Sequence, residues 1–208
     1  MLDAELIRSE FPMLVAGDNE AKPLSFLDST ATTQKPACVI DVMNDFYREH
    51  YSSVKRGVYR LSARTTEAYE ATRRNVAKFI NAKSESEIVF TRGTTESINL
   101  VAWSYGRKFF NEGDEIVISG LEHHANIVSG QIVAEMKGAK IRVIPVKDDG
   151  DLDLSTLPAL LNEKTKMVAV AHVSNAVGTV NPIEQIIPMV RKLSPWAKIL
   201  IDGAQRAS

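Results

Sequence analysis

Four short stretches hold residues that are unusual where they stand, each at the end of an apolar run. "FTRGTTES", residues 90–97, passes from a β-branched run into a turn and a helix start bearing Thr94, Thr95 and Ser97. Free backbone N–H groups, the positive end of a helix dipole and added hydroxyls would make a cradle for a phosphate there. The same residues would serve equally as ordinary helix caps. "LEHHAN", residues 121–126, sets His123 and His124 side by side after the run "DEIVIS". Neighbours on an extended chain point to opposite sides, so at most one of the two faces a shared ligand easily. A flat imidazole could stack there on a flat ring. Zinc is the weaker reading, because helix-borne histidine ligands sit four residues apart and no cysteine or third histidine stands close in sequence.

The third stretch, "AHVSNAVGT" at residues 171–179, ends an apolar run in Ser174 and Asn175. An asparagine both donates and accepts, which suits a phenolic or carbonyl oxygen, although it also suits an Asx turn ahead of Gly178. The fourth, "KILIDGAQ" at residues 198–205, delivers Asp202 to the end of an apolar run, with Gln205 three residues on. A carboxylate in that position costs free energy unless something compensates it, and a cationic ring nitrogen would. A phosphate cradle, a stacking ring, an amide for an oxygen and a carboxylate for a ring N–H together match pyridoxal 5′-phosphate. That cofactor acts as an electron sink, best when its pyridinium nitrogen stays protonated. No metal is called for.

These positions depend on the elements that carry them. "EIVF", "DEIVIS", "KIRVIPV", "KMVAVAHV" and "KILID" are short β-branched runs, separated by stretches long enough to hold a helix. Candidate helices span 95–111, 125–137, 155–162 and 183–193. Alternation of this kind predicts an α/β fold with a mostly parallel sheet and crossover helices, and ligands of such sheets bind outside the carboxyl ends of the strands. Ahead of the sheet, residues 2–10 read as a short helix ending before Pro12, and 24–27 as an extended piece. Residues 36–51 and 60–80 have the spacing of amphipathic helices, joined by the basic loop "SSVKRGVYR". The expected division is an N-terminal helical arm and loop at 1–80 and an α/β domain at 81–208.

Composition narrows the partners. With a net charge of -1 there is no basic excess to attract nucleic acid. No stretch approaches the roughly 20 apolar residues of a membrane span, and the N-terminus has no long apolar segment of a signal peptide. A single cysteine, Cys38, gives no internal disulfide and no cysteine-rich metal site, so a cytoplasmic setting and small-molecule chemistry are expected. Cys38 itself reads as a small buried thiol.

The segments "FLDSTATTQKP", "LSARTTEAYEATR", "IVFTRGTTESINLVA", "DEIVISGLEHHANIV", "HVSNAVGTVNPI" and "ILIDGAQ" run the length of the chain. In order and spacing they resemble the class V, aminotransferase-like pyridoxal phosphate enzymes, and within them the SufS-type cysteine desulfurases. The resemblance implies a fold-type I cofactor domain, incomplete at this length, so that 81–208 is a partial pyridoxal phosphate domain. It implies release of alanine from L-cysteine or a similar amino acid, with the sulfur held as a persulfide and passed through an acceptor protein to iron-sulfur cluster assembly. It also implies a homo-oligomer. Carried over by motif, Thr94 and Thr95 bind the phosphate and His123 stacks on the ring. Asn175 contacts the ring oxygen, Asp202 the ring nitrogen, and Gln205 the ring edge near that oxygen.

The sequence departs from the resemblance at "VKRG", where Lys55 stands in place of a histidine, and at Ser129-Gly130, where Pro-Trp is usual. Both changes bear on substrate preference. The Schiff-base lysine and persulfide cysteine of such enzymes would lie beyond Ser208, and Cys38 does not match the latter. By itself the chain is therefore expected to be inactive. The alternatives are a selenocysteine lyase or other class V lyase, or a non-catalytic remnant acting as an interaction module.

Overall fold

A computed structural model describes residues 2–17 and 24–206, so the outer limits of the two expected domains lie outside the described residues. Contacts group the chain into two compact units, Met1–Phe90 and Thr91–Ser208.

In the first unit, α1 (Ala4–Ser9) starts where the Asp3 carboxylate accepts the Leu6 N–H at 3.1 Å, an ordinary N-cap. α1 ends before Pro12, as expected. Pro12 itself opens a further short helix, α2 (Pro12–Ala16), because a proline lacks only an N–H that the first turn leaves unpaired anyway. α3 (Ala37–Asp45) continues through a π-helical turn at Phe46–His50 and buries none of its own residues. Cys38, expected to be buried, lies exposed on it, since α3 has no partner over that face within its unit. The 20-residue α4 (Arg60–Phe79) carries hydroxyls that fasten the preceding basic loop. Ser62 Oγ accepts the Gly57 N–H at 3.1 Å and donates to the Ser53 carbonyl at 2.8 Å, while Thr66 Oγ1 accepts the Lys55 N–H at 2.9 Å. The approach at Gly57 is so close that a Cβ would lie 2.5 Å from that of Ser62, so the loop requires glycine. Lys55 pairs with Glu70 at 2.8 Å.

"EIVF" does not form the expected strand. Glu85–Glu87 makes a 3₁₀ turn capped by Ser84, and 88–90 follows as extended chain without a paired neighbour among the described residues. The carbonyl of Ile88, which a ladder would need, accepts from Arg73 Nη1 instead. The Arg73 guanidinium lies 5.2 Å from the Tyr69 ring centre and 5.1 Å from that of Phe90, a cation–π arrangement that pins this segment to α4.

The second unit begins with α5 (Thr94–Val101), which passes through a π-helical turn at Ala102–Gly106 into α6 (Arg107–Phe109). Then come β1 (Glu115–Ser119), α7 (His124–Lys137), β2 (Lys140–Ile144), α8 (Leu157–Leu160), β3 (Thr165–Ala171), α9 (Ile183–Leu193) and β4 (Lys198–Asp202). The four strands pair in the order β2-β1-β3-β4, all parallel. β2 stops at Ile144, short of the expected 146, because Pro145 has no N–H to extend the ladder.

Alternate residues of the strands face opposite layers. Val117, Val168 and Val170 pack with Leu157 of α8 and with Ile186 and Val190 of α9. Ile116, Ile118, Met167 and Ala169 pack with Val133 and Ala134 of α7 and with Phe110. With helices on both faces, the parallel strands read as nearly continuous apolar runs.

Gly130 lies inside α7, and a Cβ built there meets nothing within 4 Å. A glycine in a helix interior costs about 0.5–1 kcal/mol relative to alanine. Gly130→Ala is therefore expected to raise stability by about that amount, measured as a higher urea midpoint at unchanged slope. A lower midpoint would show that the open space is needed.

Candidate functional site

Because the strands are parallel, their carboxyl ends share one edge of the sheet. β1 leads from Ser119 through a turn to His123, β3 leads from Ala171 to Ser174 and Asn175, and β4 ends on Asp202 itself. The chain steps from β1 to one side for β2 and to the other for β3, so the sheet's topological switch point lies between β1 and β3. That is where open α/β sheets form their crevice.

α5 opens at the same edge. Ile98 of α5 lines a small cavity beside Asn126 of α7, and farther along a Cβ on Gly106 would lie 2.8 Å from Val133 Cγ1. The two helices therefore run side by side in one direction, with Thr94 and His124 both at their leading ends. The cavity between them and the sheet is about 20 Å³, room for one water, so the candidate site is the strand edge and not this interior space.

At the head of α5 no side chain caps the N-terminus. Thr91 and Ser97 bond each other, oxygen to oxygen at 2.7 Å, and the Glu96 carboxylate takes the Arg92 N–H at 2.6 Å. Plain capping by Thr94 and Thr95 is thus not how the two hydroxyls are used, and Thr94 is half-buried while Thr95 is exposed.

His123 is the N-cap of α7, and its Nδ1 accepts the Ala125 N–H at 3.1 Å. That bond assigns the ring proton to Nε2 and fixes the ring's direction. The His124 ring stands at 89° to it with centroids 6.1 Å apart, so one planar ligand cannot lie flat on both.

Asn175 sits at the exposed tip of a loop closed by the Val173–Val180 bridge. Ser174, not Asn175, supplies the turn's side-chain bonds: its Oγ accepts the amides of Ala176 and Val177 at 3.3 and 3.4 Å. Gly178 has φ 75°, a left-handed conformation that favours glycine and returns the chain to the bridge.

Asp202 is 8% exposed. One carboxylate oxygen accepts the Ala204 N–H at 2.9 Å, and its main-chain carbonyl accepts the His172 N–H at 2.9 Å. Among the described residues no lysine or arginine forms an ion pair with it. Gln205, half-buried, follows in the same turn. Thr94 opens α5, His123 caps α7 and Asp202 ends β4 at one edge, and Asn175 lies in the loop that follows β3 there.

A fifth acidic or polar position had gone unread. Glu122, inside the quoted "LEHHAN", is 8% exposed and accepts from Ser119 Oγ, from Asn126 Nδ2 at 2.7 Å and from the Ala171 N–H at 2.8 Å. Burial pushes its carboxyl above the ordinary value of 4.5, its three donors pull it back down, and the charge of Asp202 adds to the rise. The available signal was a glutamate and an asparagine four apart at a helix start, which face the same side. Among the described residues no group of three or more histidine, cysteine or acidic side chains could hold a metal ion, and no helix is long and apolar enough to cross a membrane.

Comparison with known proteins places these features in context. The sequence pattern of the aminotransferase class V family matches residues 25–208. A cysteine desulfurase of Dickeya dadantii is 53% identical over 199 residues, which cover 96% of this chain and 48% of that protein. A cysteine desulfurase of Salmonella newport is 50% identical over 201 residues, 97% of this chain and 49% of that one. Among solved structures, the cysteine desulfurase CsdA from Escherichia coli superposes with a TM-score of 0.84 at 36% identity, covering all 100% of this chain and 50% of that one. An apo cysteine desulfurase from Thermococcus onnurineus NA1 gives 0.86 at 36%, over 97% of this chain and 47% of its own. The chain spans about half the length of the relatives it matches.

Proposed function

The chain belongs to the aminotransferase class V family, and from that premise we propose that it is the cofactor-holding half of a cysteine desulfurase, binding pyridoxal 5′-phosphate at the carboxyl edge of its parallel sheet. The observation that carries the proposal is Asp202. A carboxylate that is 8% exposed, with no cationic side chain paired to it among the described residues, is costly unless a ligand compensates it. A ring N–H bearing positive charge fits that need, so the donor set suits the cofactor.

Each residue then has a defined task. The amides and hydroxyls of Thr94 and Thr95 at the head of α5 hold the phosphate. The His123 ring, oriented by its bond to the Ala125 amide, covers one face of the pyridine. Asp202 keeps the proton on the ring nitrogen, while Asn175 and Gln205 address the ring oxygen. When bound, the cofactor supplies the electron sink. The substrate is L-cysteine or a close analogue, with alanine as product and sulfur passed to an acceptor protein for iron-sulfur assembly in the cytoplasm.

Turnover is assigned to the assembled enzyme, and this chain alone is expected to bind without reacting. Mixing it with the C-terminal half of the Dickeya dadantii relative and pyridoxal 5′-phosphate should produce a visible absorption band and release alanine from L-cysteine. The chain alone should show neither. No band and no alanine from the mixture would overturn the reading, whereas release of alanine from selenocysteine only would redirect it to a selenocysteine lyase.

Association with a second copy belongs to the same reading. α3 buries none of its residues, and Val42, Met43 and Tyr47 stand 68%, 56% and 65% exposed along it and the turn that follows. Large apolar side chains left exposed together on one helix are the kind of surface that marks an interface. Light scattering at micromolar concentration is expected to give at least a dimer, and a stable monomer would contradict this.

A further inference from the structure

The mouth of the crevice between β1 and β3 is closed by one carboxylate. β1 ends at Ser119, one residue before β3 does in register, since Ile118 stands opposite Ala169 and β3 runs on to Ala171. His172 turns its N–H toward β4, where it meets the Asp202 carbonyl, so the alternation of a parallel ladder turns the Ala171 N–H toward β1. The acceptor it meets there is a side chain, Glu122 Oε1 at 2.8 Å, which also accepts from Ser119 Oγ, while Oε2 accepts from Asn126 Nδ2 at 2.7 Å. One buried side chain thus joins the end of β1, the end of β3 and the first turn of α7.

Those three elements carry or border the cofactor residues. Glu122 directly precedes His123. Ala171 stands opposite Asp202 in the ladder. Resting on the cofactor reading above, we propose that Glu122 is a positioning residue of this site, a carboxyl plug that locks the gap between β1 and β3 and so sets where His123 and Asp202 meet the pyridine ring. Its contacts all run to this chain's own groups, which leaves binding of the ring to its neighbours. Supporting residues of this kind typically matter by one to two orders of magnitude in binding.

The test uses two ligands that need no lysine. 4′-Deoxypyridoxine 5′-phosphate reports on ring and phosphate together, and inorganic phosphate reports on the head of α5 alone. Glu122→Ala should weaken the ring compound about tenfold and leave phosphate affinity unchanged. Glu122→Gln keeps an oxygen for Ser119 and Ala171, so it should restore binding to within about threefold of the parent. Equal loss of both ligands would mean a general structural role, and an unchanged ring affinity would mean no role; either overturns the proposal. Should Glu122→Ala lack the parent's circular dichroism, Ser119→Ala, which removes one of the three contacts, is read by the same criteria. If the parent chain itself binds phosphate but not the ring compound, the cofactor reading fails and this inference falls with it; if the parent binds and the variants match it, only the inference fails.

Discussion

Replacing Asp202 by asparagine is expected to weaken binding of 4′-deoxypyridoxine 5′-phosphate to this chain by about 10- to 100-fold. Asparagine keeps an oxygen for the Ala204 N–H, which the carboxylate now bonds at 2.9 Å, so the local turn survives. What it removes is the charge that the proposed site sets opposite the ring nitrogen. A hydrogen bond to a charged group contributes about 1.5–3 kcal/mol, and each 1.4 kcal/mol is about tenfold in affinity. Equilibrium dialysis would measure it. An affinity within about twofold of the parent would mean that Asp202 does not face the ring, and the reading of the site would lose its main support.

The largest expected effect on stability belongs to the opposite face of the sheet. Ile186 of α9 is fully buried against Val117, Val168 and Val170. Ile186→Ala should destabilise the chain by about 2–5 kcal/mol, the range for removing buried methylenes that leave a cavity. Domains are stable by only about 5–15 kcal/mol, so much of the margin would go. Urea denaturation would record it as a large fall in midpoint. Because α9 and α7 cover different faces, the molecules still folded should bind the ring compound as the parent does. Coupled loss of affinity at temperatures where the variant is folded would show that the two layers are not independent.

The sheet was legible because its signal is physical and local. β3 is buried on both sides from Met167 onward, so "MVAVA" is apolar throughout, and the intervening lengths suit crossover helices. Asp202 was legible for the complementary reason, as a carboxylate set against an apolar run. "EIVF" shows the limit of this logic. Its composition is that of a strand, but strand formation needs a neighbour, and Arg73 occupies the carbonyl of Ile88. Pro12 marked the end of α1 but not the start of α2, since a proline both stops a helix before it and starts one after it. The π-helical turns at 46–50 and 102–106 left no mark in residue type, so each was read as part of one continuous helix.

Glu122 escaped the sequence reading because its role is set by strand lengths. Only once β1 is seen to stop short of β3 does a carboxylate in the following turn become the acceptor for Ala171. The histidines beside it drew attention because of their chemistry, and the residue that orients their turn did not. The same holds for Ser174, whose hydroxyl shapes the loop that presents Asn175.

Amide NMR of the 208-residue chain titrated with 4′-deoxypyridoxine 5′-phosphate would show whether the carboxyl edge of the second unit is a pyridoxal phosphate site. Saturable shifts confined to Thr94, Thr95, His123, Asn175, Asp202, Gln205 and their immediate neighbours are expected, with those of α9 unmoved. Saturable shifts that map to another surface, or an absence of shifts at millimolar ligand, would contradict this reading.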